Sequence, residues 1–349
     1  MVKRVGLVGV TGYTGMELTR ILLGHPHLRL TQVTSRKEAG QPLQRIYPFL
    51  QGTELGILEI KAPDTALLAA SCDLVFLAVP HCTAMEMAAQ LRGHGTRVVD
   101  LSADFRLRDR EVYESWYKVP HTQADLLGEA VYGLPELYSA RIAGASLVAN
   151  PGCYPTSAIL ALYPALASGL ISPDDLVIDS KSGTSGAGRK AGVGTLFCEV
   201  SDTFRAYNLT KHRHTPEIEQ ELGLAAGREI RLSFNTHLLP INRGILTTSY
   251  AKLAPGANLE KIRACYEAFY KGKRWVRILP QEVLPETRWV RGTNFCDIGL
   301  VTDPRTDRLI VVSAIDNLCR GASGQAVVNA NLMLGLSEDS GLSRAPLMP

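Results

Sequence analysis

The sequence predicts an α/β chain in two parts, a doubly wound parallel-sheet domain followed by an α+β domain. Three observations carry that expectation. Short apolar, β-rich runs alternate with helical patterns through the first 150 residues, and a string of glycines fills the first strand-to-helix turn. Near residue 150 the chain changes to longer β-type runs. A length of 349 residues also exceeds one ordinary core.

Residues 4–10 (RVGLVGV) are nearly all apolar and read as a strand buried on both faces of a parallel sheet. From Gly15 the pattern MELTRILLGHP sets Leu18, Ile21 and Leu22 on one helical face, and Gly24 with Pro26 ends it. Further strands are expected at 28–35, 72–80 and 96–102, with a helix over 83–95 between the last two. NPGCYPTSAILALYPALASG then reads as a turn followed by an apolar helix. Beyond it, runs at 176–186, 229–240, 245–253, 295–303 and 308–316 predict a mixed or antiparallel sheet, covered on one face by helices at 216–226 and 258–271. The periodic stretch 322–336 is too short for a domain and is expected to pack back onto the first. The expected division is therefore 1–149 with 318–349, and 150–317.

Composition narrows the function classes. A chain 46 % hydrophobic and 20 % charged is ordinary globular protein. Its net charge of +3 comes from scattered residues, which argues against a nucleic-acid-binding stripe. The seven cysteines, an odd number with no CxxC pair, suit thiols in a reducing compartment. No clustered metal-ligand spacing stands among them and the eight histidines, so no metal is expected. No apolar run reaches the roughly 18 residues of a membrane span, and the start is too short and glycine-broken for a signal peptide. A soluble, cytoplasmic protein is expected.

Gly6, Gly9, Gly12 and Gly15 recur every third residue across the first strand-to-helix turn. Absent side chains there let the backbone approach a pyrophosphate at the helix N-terminus. The spacing departs from GxGxxG; its place after a buried N-terminal strand makes it a Rossmann-type dinucleotide site, with Thr11, Tyr13 and Thr14 in the same turn. Where an NAD site carries an acidic residue, at the end of the second strand, this chain has Ser35 and Arg36. The arginine fork suits a 2′-phosphate and no carboxylate adjoins it, so NADP is the expected cofactor. His81 ends the third strand on the same side, as a cofactor contact or a cap.

Cys153 lies between Asn150-Pro151-Gly152 and Tyr154-Pro155, just before the helix SAILALYPAL. Helix N–H groups and the dipole favour a thiolate there, and Gly152 keeps the approach to sulfur open. Cys153 is the expected nucleophile; the other six cysteines read as structural.

GLVGVTGYTG, DLSADFR, NPGCYPT, SGTSGAGR, HRHTPEIEQEL, HLLPINRGI and CRGASGQAVVNANLMLGL together resemble the N-acetyl-gamma-glutamyl-phosphate reductase family, nearly end to end and in the same order. The resemblance implies NADPH-dependent reductive dephosphorylation of N-acetylglutamyl 5-phosphate to the semialdehyde, a step of arginine biosynthesis. It also implies a glyceraldehyde-3-phosphate-dehydrogenase-like second domain for substrate and dimerisation. In that chemistry a thiolate displaces phosphate, and hydride transfer and collapse give the aldehyde.

The collapse needs an acid/base group, and His212 and His214 in KHRHTP are the candidates, His214 preferred. A substrate carrying carboxylate and phosphate calls for arginine forks, for which Arg106, Arg243 and Arg189 are chosen. Ser182 and Gly183 belong to the glycine-serine loop that reads as lying beside cofactor. The family's pattern places Asn317 and Gln325 near the nicotinamide. Its members are commonly oligomeric, so a homodimer or homotetramer is expected, with the second-domain sheet as the self-complementary surface. The rivals are aspartate-semialdehyde dehydrogenase and a reductase of carrier-protein-bound aminoadipyl phosphate. From other classes, a dinucleotide sensor would lack the nucleophile and a cysteine hydrolase would lack the glycine turn.

Overall fold

Lys3–Val8 forms the first strand, β1, with Val5, Leu7 and Val8 at most 1 % exposed. Burial on both faces is what its unbroken apolar run requires. The computed structural model describes residues 2–348. It divides into two compact units: one runs to Pro151 and resumes over Ala322–Leu342, and the other comprises Gly152–Gly321 with the tail from Ser343.

In the first unit β1 is joined by β2 (Leu28–Thr34), β3 (Ile60–Lys61), β4 (Leu74–Leu77), β5 (Arg97–Asp100), β6 (Val131–Tyr132) and β7 (Leu147–Ala149). They form one sheet in the order β3-β2-β1-β4-β5-β7-β6, every pair parallel. The order reverses direction between β1 and β4, and ligands bind open α/β sheets beyond the carboxyl ends at such a point. The strands expected at 28–35, 72–80 and 96–102 are present. The strands β3, β6 and β7 were not anticipated, because two or three residues are too few to show a period. The helix Gly324–Met333 belongs to this unit. Its Asn329 donates Nδ2 to the Gly133 carbonyl and the Asn150 side-chain oxygen, both at 3.0 Å.

The second unit is built on β8 (Val177–Gly183), β9 (Arg205–Tyr207), β10 (Ser233–Leu239), β11 (Ile245–Lys252), β12 (Val276–Ile278), β13 (Cys296–Asp303) and β14 (Arg308–Ile315). The order is β12-β13-β14-β11-β8-β10-β9, mixed in direction: β8/β10 and β12/β13 run parallel and the remaining pairs antiparallel. The helix Cys153–Ala167 is almost wholly buried and packs against β11, β13, β14 and the helices Thr215–Ala226 and Leu259–Phe269. Strand β11 alternates buried and half-buried residues, so one face meets that helical layer and the other remains more open. Among the described residues no helix is long and apolar enough to cross a membrane.

Candidate active site

The glycine turn has the geometry of an anion cradle. Gly9 holds φ +86°, and a Cβ there would lie 2.2 Å from the Ala78 carbonyl oxygen. A Cβ on Gly15 would lie 2.5 Å from the Gly9 oxygen, so the helix starts hard against the strand end. At Gly12 the nearest atom to such a Cβ is 3.8 Å away, which leaves the surface open. Gly12 is the N-cap of the helix Tyr13–Leu23 and no side chain caps it, the condition in which N–H groups take a phosphate. Tyr47 donates its hydroxyl to the Val10 carbonyl at 3.0 Å and braces the turn from behind. The residues fit a dinucleotide.

Ser35 is buried after β2, and Arg36 beside it lines an open groove of about 610 Å³ with Pro63, Thr65, Met87 and Gln90. Asp64 lines the same groove, a carboxylate that linear distance had hidden. Its Oδ1 accepts the Leu67 N–H at 3.0 Å and caps the helix Thr65–Ser71. His81 accepts the Ala103 N–H on Nδ1 at 3.0 Å and meets Tyr117 edge-on. Arg106 is 6 % exposed and donates Nε to the Asn150 carbonyl at 2.8 Å and Nη2 to the Leu101 carbonyl at 2.9 Å. Gln325 is fully buried in the first turn of its helix.

In the second unit Cys153 is the first residue of its helix, with Gly152 as N-cap and no side-chain cap. The Gly152 N–H donates to Glu217 Oε1 at 2.8 Å, in a buried contact between the cysteine turn and the first turn of the helix Thr215–Ala226. Sequence reasoning missed Glu217; its signal was a carboxylate three residues beyond His214, inside the histidine motif. Gly321 packs against Cys153: a Cβ there would lie 2.6 Å from that of the cysteine. Tyr154 brings the histidines in, its ring edge-on to His212 at 5.3 Å and to His214 at 6.0 Å. Its hydroxyl meets that of Tyr207 at 2.7 Å.

The two histidines differ. Burial, helped by the adjacent Arg213 charge, pushes His212 down to about 4. Its Nδ1 accepts the His214 N–H at 3.2 Å. A neutral imidazole so engaged carries its proton on Nε2 and acts as a donor. His214 is the N-cap residue of the helix Thr215–Ala226.

Arg243 forms a bidentate pair with the fully buried Asp316, Nε to Oδ2 at 2.9 Å and Nη2 to Oδ1 at 3.0 Å. The backbone at Asn242–Arg243 closes on Gly183, where a Cβ would lie 2.9 Å from the Arg243 nitrogen. Asn317 accepts the Gly244 N–H at 2.7 Å and donates to the Ser185 hydroxyl at 2.9 Å. Thus Cys153, His212, His214, Ser182, Gly183, Arg243 and Asn317 share one unit. Arg189 belongs to it also, on the exposed part of the loop that follows β8.

Residues 4–145 match the family described as semialdehyde dehydrogenase, NAD binding domain, and residues 153–317 match semialdehyde dehydrogenase, dimerisation domain. The chain is 52 % identical over 350 residues to the N-acetyl-gamma-glutamyl-phosphate reductase of Pelotomaculum thermopropionicum, covering 100 % of each. To the protein of that name from Desulfotalea psychrophila it is 51 % identical, covering 99 % of each. Similar solved structures include aspartate semialdehyde dehydrogenase II of Vibrio cholerae, with a TM-score of 0.72 and 14 % identity over 96 % of this chain and 99 % of that one. The Candida albicans aspartate semialdehyde dehydrogenase with NADP gives 0.71 and 17 % over the same shares. At such identities the likeness is one of fold, whereas the full-length relatives carry the reductase name.

Proposed function

The chain belongs to the N-acetyl-gamma-glutamyl-phosphate reductase family, and on that premise we propose that it reduces N-acetyl-L-glutamyl 5-phosphate to N-acetyl-L-glutamate 5-semialdehyde, with NADPH and through a thioester on Cys153. The observation that carries the reading is the cysteine turn: a nucleophile at an uncapped helix N-terminus, tied by the Gly152 N–H to Glu217 of the histidine motif.

The helix N-terminus favours the Cys153 thiolate. That thiolate attacks the acyl carbon, the C–O bond to phosphate breaks, and a thioester remains. Arg243 meets the anionic phosphate, and Arg106 and Arg189 complete the arginine set for the substrate's anionic groups. Gly9, Gly12 and Gly15 with Thr11, Tyr13 and Thr14 hold the pyrophosphate, and Arg36 beside Ser35 selects the 2′-phosphate. His81 and Gln325 of the first unit, and Ser182, Gly183 and Asn317 of the second, are the further residues we assign to holding the cofactor. Hydride is what the dinucleotide supplies when bound. The reduced thiohemiacetal then releases the aldehyde as its hydroxyl gives up a proton and the C–S bond returns electrons to sulfur. His214 takes that proton, while His212, neutral with Nε2–H as donor, orients the oxygen. The enzyme works in the cytoplasm as a homodimer or homotetramer.

The test is phosphate-dependent NADP reduction by purified wild type and Cys153→Ala, with N-acetylglutamate, aspartate and aminoadipate semialdehydes in parallel. Preference for the first and an inactive variant are expected. Full activity in Cys153→Ala removes the covalent mechanism, and preference for another aldehyde removes the substrate assignment.

A further inference from the structure

We propose that Asp316 is a positioning residue that sets the Arg243 guanidinium for the substrate's phosphate and, through the same turn of chain, packs Gly321 against Cys153. The inference rests on the reading of Arg243 as a phosphate-binding residue.

Asp316 follows β14 and is fully buried, yet its carboxylate receives five hydrogen bonds. Oδ1 accepts the Leu318 and Cys319 N–H groups, each at 2.9 Å, and Arg243 Nη2 at 3.0 Å. Oδ2 accepts Arg243 Nε at 2.9 Å and the Gly292 N–H at 2.6 Å. A buried carboxylate is tolerated only when paired and hydrogen-bonded to this degree. The Asp316 carbonyl in turn accepts the Gly321 N–H at 2.9 Å, and Gly321 is the glycine in contact with Cys153. One residue therefore joins the arginine to the wall of the nucleophile.

The pair is asymmetric. Asp316 has no exposed side-chain surface, whereas 18 % of the Arg243 side chain is exposed. The carboxylate's charge is spread inward over three backbone N–H groups, and of the two side chains only that of Arg243 reaches solvent. Bidentate pairing fixes the plane of the fork as well as its place, which a single contact to an ammonium does not. The orientation of the cation, and not its charge alone, then determines phosphate affinity.

The experiment uses the full chain in the aldehyde-oxidising direction, with N-acetylglutamate semialdehyde and NADP saturating and inorganic phosphate varied. Arg243→Lys keeps the charge and loses the fork, so the phosphate KM is expected to rise about tenfold or more while kcat falls much less. Asp316→Asn is expected to do the same, and the double variant to add little to either. A phosphate KM in Arg243→Lys within about twofold of wild type overturns the proposal. So does additivity in the double variant, or an unchanged phosphate KM in Asp316→Asn. If Asp316→Asn does not fold, Arg243→Lys against Arg243→Gln decides: equal defects support the proposal, and rescue by lysine overturns it. A wild type with no phosphate-dependent activity overturns the functional reading itself, and the inference with it.

Discussion

Gly321 lies so close to Cys153 that a methyl group on the glycine would sit 2.6 Å from the cysteine Cβ and 3.1 Å from its Cα. The contact is to backbone and to the first side-chain carbon, so neither partner can rotate away. It is a close approach and not a strained backbone, since Gly321 does not hold a positive φ.

Gly321→Ala is therefore expected to move Cys153, the proposed nucleophile, while leaving the protein folded. Overpacking of this kind costs about 1–3 kcal/mol, and a displacement approaching 1 Å at a reacting atom lowers kcat by about a hundredfold. Steady-state kinetics beside a thermal melt checks this. A variant with wild-type kcat would show that the contact does not set the sulfur's position.

The histidine pair predicts a specific pH dependence. Burial and Arg213 hold His212 at about 4, below its ordinary 6.5, so it stays neutral across the working range. Replacing His212 by Asn should lower kcat and leave the acid limb of the pH profile where it was. Replacing His214 by Asn should remove most of the rate, about a hundredfold or more. An acid limb that moves in His212→Asn would show that His212 titrates in the working range and is not a standing neutral donor.

Arg36 and Asp64 line one groove, and their charges oppose each other toward a 2′-phosphate. Arg36→Ala is expected to raise the KM for NADPH about tenfold or more, the size of a charge-assisted contact, and to leave that for NADH nearly unchanged. Asp64→Asn keeps an acceptor for the Leu67 N–H and should improve the use of NADPH modestly. Equal loss of both cofactors in Arg36→Ala would make the arginine a structural group.

Asp100 supplies a stability test. Burial raises its carboxyl from 3.8 to about 7, and Asp104 adds to this; hydrogen bonds from Ser102 and the Arg106 charge oppose it. Folding thus favours the protonated form. The stability associated with it is complete below pH 3.8 and is lost as pH rises toward 7, a change on the order of 4 kcal/mol. The amide of Asp100→Asn can still accept the Ser102 N–H and donate to its hydroxyl, so the variant should be more stable than wild type at pH 8. Denaturant unfolding at pH 5 and pH 8 measures the difference between the two proteins. A gap that does not widen with pH would mean that Asp100 ionises in the fold at little cost. His212 has the opposite sign: its depressed value makes wild-type stability fall as pH drops from 6.5 toward 4.

Much of this molecule was determined along the chain. The buried run of β1, the glycines after it and the cysteine before an apolar helix are local patterns, and burial or close backbone approach is the direct physical reason for each. The same holds for the positions of the long strands in the second unit, which are β-type runs in the chain, though not for their order in the sheet. The short strands β3, β6, β7, β9 and β12 exist because neighbouring strands pair with them, and no period marks them. What only the tertiary structure decided is which groups serve which. Glu217 meets Gly152 across 65 residues of chain, Asp316 meets Arg243 across 73, and Gly321 reaches Cys153 from the end of the second sheet. Hydrogen-bond partners and contacts at such separations follow from the closure of the sheet and its helices, and residue type carries no record of the partner. The state of His212 has the same origin: burial beside Arg213 and an aromatic nest of Tyr154, Tyr207 and Phe234 holds it neutral.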